Sequence, residues 1–541
     1  MKQAKKLLAV LLAAALLSAC FITPALAETA YSESGYSFSE KAEHVFYNVV
    51  DKLIDMLGRF LNTVMPGLNW TGKIPQMKNA APHTALMGED AFDTAVPADA
   101  GWRMGFADAS LLTGLDIADG SYYLAGSLEA LEGRTPTAVI DDQTVNVYAL
   151  SDGVSGTVVH VVLDGYGIAR GDVLEIRSRL ADFAAQNDII SVNVSVLHQH
   201  SCIDTLGLSA PLLPALAKNP ISSLTVGDNT VSLSGKNETF MENLFTVVTE
   251  TVTEAVDGMT AGALYYGSAD ITEFIHDKRT PDVFDGNFER LRFVPDDTSK
   301  NEIWVCEAGI HCVGFGAAPD ILSADYPYYL KQYIKEQTGA DVVFVEGAEL
   351  AITADYSTLT YDDSVPAARL QAMGKALGDR LLAIENEQEL EPVLNIKQTE
   401  MQIPATNQIL ILAVREGLVN SVVAKDGLNY VIISELGYME LGNKLGILLA
   451  PGEVAPEILW GGATPKEASW SGTTWDYPAL ASVCGAEKLI CFGLCNDQIG
   501  YVICDNDVRS YLTENEEITA ASTASASTLA ETFISLINSV K

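Results

Sequence analysis

Residues 189–202 read Ile-Ile-Ser-Val-Asn-Val-Ser-Val-Leu-His-Gln-His-Ser-Cys. Four valines or isoleucines alternate with Ser and Asn up to Val196, the pattern of a strand over 189–197. Upstream, a second apolar run predicts a strand over 158–163, and 173–185 carries helical spacing. Strand, helix and strand in succession point to an α/β fold with a mixed sheet and surrounding helices. Working outward, further β-rich runs fall at 341–345, 408–414, 430–434, 445–450 and 489–492. A closing helix is expected over 529–540. No internal repeat interrupts residues 99–541, which are expected to form one domain.

His198 and His200 stand just past the first of these strands. In extended chain, side chains two residues apart point the same way, so the pair should share one cavity if the extension persists. Ligands and catalytic groups of α/β proteins gather beyond the carboxyl ends of strands. A pair of surface histidines remains the alternative for an isolated His-x-His, so further partners are needed. Of the other histidines, His44 and His83 lie in the N-terminal lead, His160 sits inside an apolar strand as a core residue, and His276 lies in a charged segment. His311 follows the apolar approach Trp304-Val-Cys-Glu-Ala-Gly-Ile310 and again marks a strand's end.

The chain has 541 residues and a formal charge of −38. Such a surface repels nucleic acid and anionic membrane, which argues against phosphate-backbone binding. Lys2, Lys5 and Lys6 precede an apolar run over 7–17, the layout of an export signal. Two processing readings stay open. Ala25-Leu26-Ala27 is a small-x-small cleavage site, giving a signal peptide over 1–27 and a mature start at Glu28. Leu17-Ser18-Ala19-Cys20 is a lipobox, which would leave a lipid on Cys20. Either places the protein outside the cytoplasm, secreted or on the outer face of the envelope. Cys202, Cys306, Cys312, Cys484, Cys491, Cys495 and Cys504 remain beyond the signal, an odd number that reads as buried thiols rather than a disulfide framework.

Residues 28–98 form a helical lead. Val45, Val49, Leu53, Met56, Leu57, Phe60, Leu61 and Val64 recur at helical spacing. Such a stripe packs on its own domain or touches a membrane.

The strand-end histidines lead to a resemblance. Residues 198–201, His-Gln-His-Ser, resemble the Thr-His-Thr-His-Ser-Gly-Pro segment of the neutral/alkaline ceramidases. Further segments follow in the family's order: WRMGFADASL at 102, HDKRTPDVFD over 276–285, IHCVGFGAAPDILSADYPYYL from 310, LAPGEVAPEILWGG over 449–462, GLCNDQIGYVICDNDVRSY over 493–511, and the Ala/Ser/Thr run that ends at 528. The likeness spans residues 99–541. It implies a zinc ion held by His198, His311, Glu453 and Tyr501. It further implies that His200 faces the substrate's amide as an acid/base or oxyanion donor, and that Arg279 holds a substrate oxygen. Two imidazoles and one carboxylate would leave zinc net positive, which suits activation of water near neutral pH.

Where the family carries a Ser/Asn-rich segment, this chain has Val342-Val-Phe-Val-Glu-Gly-Ala-Glu-Leu-Ala-Ile-Thr353, so no serine carries over. Tyr511 stands at a different spacing from the family's second tyrosine run. The expected function is hydrolysis of an amide in a ceramide-like or other N-acylated, lipid-like substrate. Ester hydrolysis on the same centre and a non-catalytic envelope binding protein are the other readings. Peripheral membrane contact is compatible with all three, and the sequence leaves the oligomeric state open.

Overall fold

A computed structural model of the protein describes residues 38–64, 91–126, 133–210, 234–315, 320–415, 417–427, 429–511 and 516–541. The export segment lies outside the described residues. The fold is mixed α/β, with eight helices and two main sheets among the described residues.

The larger sheet has nine strands. Its order is Asp341–Glu346, Ile303–Ala308, Asn287–Pro295, Thr260–Asp270, Arg103–Ser110, Thr144–Ser151, Thr157–Leu163 and Ile189–Val196, with Gln388–Leu390 paired to Thr260–Asp270. Two of its pairings are parallel. Thr157–Leu163 and Ile189–Val196 are joined by the crossover helix Arg170–Gln186, and Ile303–Ala308 and Asp341–Glu346 by the helix Asp325–Thr338. The second sheet has five strands, Leu394–Pro404, Asn429–Leu441, Leu445–Leu449, Lys488–Phe492 and Val423–Asp426, and its Leu445–Leu449 and Lys488–Phe492 also run parallel.

Parallel strands need both faces covered, which is why their sequences are continuously apolar. Every residue of Thr157–Leu163 is buried. Val159, Val161 and Leu163 join Val192, Val194 and Val196 under the helices Arg170–Gln186 and Glu238–Asp257. Val158 and Val162 point the opposite way, into a core shared with Leu445, Ile447 and Phe492 of the second sheet. His160 is buried there as expected, its Nε2 3.0 Å from Ser195 Oγ, and desolvation pulls its pKa down to about 3.

Polar side chains stitch the two sheets together. Arg170 and Arg177, on the crossover helix, grip Glu435 of the second sheet at 2.7 and 2.8 Å with all three groups buried. Gln398 accepts from Ser191 Oγ at 2.7 Å and donates to Asn193 at 2.8 Å. All seven described cysteines are buried thiols, in keeping with their reading as small apolar groups.

Two sequence expectations need correction. Residues 408–414 are not a strand but the helix Gln408–Arg415. The alternation of Ile and Leu in this run suits a strand, yet Asn407 Oδ1 accepts from the Ile409 amide at 3.1 Å and starts a helix that buries Ile411 and Val414. The N-terminal stripe, on the helix Phe38–Val64, does not pack wholly on its own domain: Phe46, Val49, Leu53, Met56 and Phe60 are exposed.

Candidate functional site

Each predicted metal ligand except Tyr501 sits just past the carboxyl end of a strand in one of the three parallel pairs. His198 follows Ile189–Val196, His311 follows Ile303–Ala308, and Glu453 follows Leu445–Leu449. The loop after Lys488–Phe492 carries Gln498 and leads to Tyr501. Parallel strands bring their ends to one edge of a sheet, and here the ends of both sheets meet. Asn496 fixes that meeting: its amide donates to Val194 O at 2.7 Å and its Oδ1 accepts from Val194 N at 2.9 Å.

His198 and His200 share a cavity, with ring centroids 4.9 Å apart. Extended chain is not the cause. The strand ends at Val196, and His198 takes a left-handed backbone, φ +49°. That conformation costs a non-glycine residue about 1–2 kcal/mol, a strain typical of functional sites. Tyr166 stacks on His198 with centroids 4.5 Å apart. Gly126 crosses behind His200 so closely that a Cβ there would meet the His200 Cα at 2.4 Å. Glu453 and Tyr501 are register partners in a short parallel pair, Glu453–Val454 with Tyr501–Val502. The preceding glycines permit this approach: a Cβ on Gly452 would meet Gly500 O at 2.4 Å, and one on Gly500 would meet Thr519 O at 1.7 Å.

The ring nitrogens are assigned by their partners. A carbonyl only accepts, so His198 Nδ1 donates to Tyr166 O at 2.7 Å and His200 Nδ1 to Gly126 O at 2.6 Å. Burial holds all three imidazoles neutral. Desolvation puts His198 and His311 well below the ordinary histidine value and brings His200 down to about 4, helped by the exposed charge of Lys278. The Nε2 lone pair of His198 therefore faces a carboxylate oxygen, Glu453 Oε2, 3.3 Å away. The Nε2 lone pair of His200 faces His311 Nε2 at 2.9 Å. A proton on His311 Nε2 satisfies His200 but turns the Nδ1 lone pair toward Glu349 Oε2, 3.4 Å off. A proton on Nδ1 leaves two lone pairs 2.9 Å apart. With Glu349 ionised, either tautomer leaves acceptors facing acceptors in a buried space.

That is the electrostatic signature of a site built round a cation. Ligand atoms of His198, His311, Glu349 and Glu453 all lie within 4.8 Å of one another, as do those of His198, His200 and His311. The donor set, imidazole nitrogen with carboxylate oxygen, suits a divalent metal ion of the zinc type. Gln498 Nε2 donates to Glu453 Oε1 at 3.1 Å and orients it.

Glu349 is absent from the sequence-level ligand set. It is fully buried, makes no hydrogen bond through either carboxyl oxygen, and is held above the usual carboxylate range by desolvation, then by Glu346 and Glu453. The signal was present: like Glu453, it follows an apolar strand and a glycine. Gln498 and Tyr166 were also missed. Tyr501 is partly exposed beside Glu453. Arg279 was expected to hold a substrate oxygen. Its guanidinium is buried against Glu517 Oε1 and Asp507 Oδ2, each at 3.1 Å, and also donates to Asp507 O. Two carboxylates engage it among its described contacts. The neighbouring Lys278 adds a positive charge that reaches all three histidines, and Arg134 adds one at His200.

No protein-family model matches the chain, and no curated protein matches it by sequence. Solved structures do match. Neutral ceramidase from Pseudomonas aeruginosa superposes with a TM-score of 0.61 at 13% identity, covering 81% of this chain and 74% of that one. A ceramidase complexed with C2 gives a TM-score of 0.58 at 13% identity, covering 81% and 75%. At this identity the likeness is one of architecture: the chain carries the fold of neutral ceramidase around a cluster of His198, His311, Glu349 and Glu453, all buried, with the partly buried His200 beside it.

Proposed function

We propose that the protein is a zinc-dependent hydrolase of an amide bond in an N-acylated, lipid-like substrate. The observation that carries this reading is the convergence of acceptor atoms from His198, His200, His311, Glu349 and Glu453, with the tautomers of His198 and His200 fixed by backbone carbonyls. The fold shared with neutral ceramidase supports amide hydrolysis as the reaction class.

In this reading His198, His311 and Glu453 hold the metal, and Glu349 adds a fourth donor next to the Tyr501 expected from the family. Zinc in such a set lowers the pKa of water and polarises a carbonyl. Gln498 keeps one Glu453 oxygen turned inward. Tyr166 O and Gly126 O keep the Nε2 atoms of His198 and His200 unprotonated and aimed at the centre. His200 is the less buried of the two, and we assign it the proton transfers: it takes a proton at Nε2 as the nucleophile forms and returns it to the leaving amine. The exposed ammonium of Lys278 disfavours a lasting charge on His200, so the proton moves on.

The test is metal analysis with a panel of N-acyl substrates on one sample. Bound zinc with amide turnover supports the proposal. Bound zinc with ester turnover alone would favour the second reading, and absence of both would overturn it. Export, by either processing route, is part of the proposal.

A further inference from the structure

Gln199 stands between the two histidines, yet its side chain shares none of their described partners. It is fully buried, and its Nε2 donates to Asp164 Oδ1 at 2.9 Å and to Ala324 O at 2.6 Å. A carboxylate and a carbonyl only accept, so both N–H groups of the amide are engaged and its orientation is fixed. The backbone amide of the same residue donates to Gly165 O at 3.0 Å. One residue thus ties the turn to two places. One is the end of the neighbouring parallel strand Thr157–Leu163; the other is the chain just before the helix Asp325–Thr338.

Both acceptors are themselves held. Asp164 Oδ2 accepts from Thr144 N at 2.8 Å and from Thr144 Oγ1 at 2.5 Å. The Ala324 amide donates to Asp141, and the Ser323 amide before it donates to Ser201 O at 2.9 Å. The remaining atom of the Gln199 amide is not satisfied: Oε1 is buried without a hydrogen bond among the described residues. Such an oxygen costs free energy that a methionine of the same length would avoid. What the amide supplies in return is geometry. His198 keeps a left-handed backbone, and the strand cannot impose it, because the strand ends at Val196.

We propose that Gln199 is a positioning residue of the centre. Its amide, clamped between Asp164 and Ala324 O, holds the turn at His198 and thereby aims both imidazoles at His311 and Glu453. Tyr166 O and Gly126 O set the rings; Gln199 sets the backbone that carries them. The purpose of this arrangement rests on the metal-centre reading, but the aim of the rings is measured without metal or substrate.

The experiment is nuclear magnetic resonance of the metal-free full chain with isotope-labelled histidine, of which there are only seven residues to resolve. His198→Gln and His200→Gln assign the signals. The Nδ1–H protons of His198 and His200 should be protected from solvent exchange by their carbonyl partners. Gln199→Met should lower both protections by at least about 10-fold. It should also weaken zinc by about 10-fold to 100-fold, as loss of a ligand-orienting group does. The signals of His160, buried on the neighbouring strand, should stay as in the parent. Asp164→Asn keeps the shape of the acceptor, and with Thr144 on its oxygen it turns an N–H toward Gln199 Nε2. It should give the same loss, and it decides the matter where Gln199→Met fails to fold. Parental protection in both variants would overturn the proposal. So would a loss that extends to His160 in both, which would make Gln199 a residue of the core. A parent that binds no zinc would remove the hydrolase reading, while the protection data would still decide the role of Gln199.

Discussion

Glu349 Oε2 lies 3.4 Å from His311 Nδ1, at the end of the strand neighbouring the one that leads to His311. The two groups arrive together because their strands run parallel and in register, Ile303 with Asp341 through Ala308 with Glu346. This ties the metal prediction to a residue outside the family pattern. The protein should hold about one zinc per chain, and His198→Ala or His311→Ala should abolish stoichiometric binding. Glu349→Gln should weaken zinc by at least about 10-fold, whether the carboxylate binds the ion or orients His311. Competition with a chromophoric chelator measures all three. Parental affinity in Glu349→Gln would remove Glu349 from the centre.

His200 allows metal binding to be separated from turnover. His200→Ala should keep zinc and lose about 100-fold to 10,000-fold in turnover, the range for a positioned acid/base. Its Nε2 is 2.9 Å from His311 Nε2, so the opposite result is informative: zinc lost from this variant would make His200 a ligand.

The Gln498 side-chain amide donates to Glu453 Oε1. Gln498→Ala should weaken the metal by about 10-fold to 100-fold, the usual effect of removing a group that orients a ligand. If the contact serves the proposed metal rather than the core, unfolding midpoints measured with chelator present should stay near the parent's.

Glu435 supplies a pH dependence. Burial alone would raise its pKa, but Arg177 and then Arg170 outweigh burial and hold it below the usual carboxylate value. A lowered folded pKa gives stability that is complete above the unfolded value, about 4.3, and that is lost as pH falls through the folded one. Glu435→Gln leaves two buried guanidiniums short of a charge and should cost about 3–5 kcal/mol at pH 7. Denaturant midpoints of parent and variant should converge as the pH drops below the carboxylate range.

Mass spectrometry of the exported protein should show Glu28 as the first residue. A diacylated Cys20 would instead select the lipobox route and add a covalent anchor ahead of the helix Phe38–Val64.

The sequence made the strand ends legible, and with them the positions of His198 and His311, because a buried parallel strand is an unbroken apolar run that stops where the polar site starts; Glu453 entered only through the resemblance to the ceramidases. Glu349 obeyed the same rule but was passed over: Val342-Val-Phe-Val-Glu-Gly-Ala-Glu349 was compared with a serine pattern, not read for its own carboxylates. Residues 408–414 were misread because alternation of Ile and Leu fits both periods, and a capping Asn407 decided for helix. Arg279 could not be placed from its neighbours, since Asp507 and Glu517 lie more than two hundred residues away. The outward turn of the stripe on Phe38–Val64 was equally hidden, because periodicity gives the width of an apolar face but not its direction.

The pairing of Asn496 with Val194 has a consequence for the order of events in folding. It joins segments 302 residues apart, and the centre draws on loops from Gly126 to Tyr501. Contacts so distant in sequence form late, because closing long loops costs entropy before any of them is rewarded. The cluster is therefore completed only when both sheets have docked. Ion capture should trail the main folding phase as a separate, concentration-dependent step, and the ion acquired should be the one offered by the surroundings in which the last strand comes to rest.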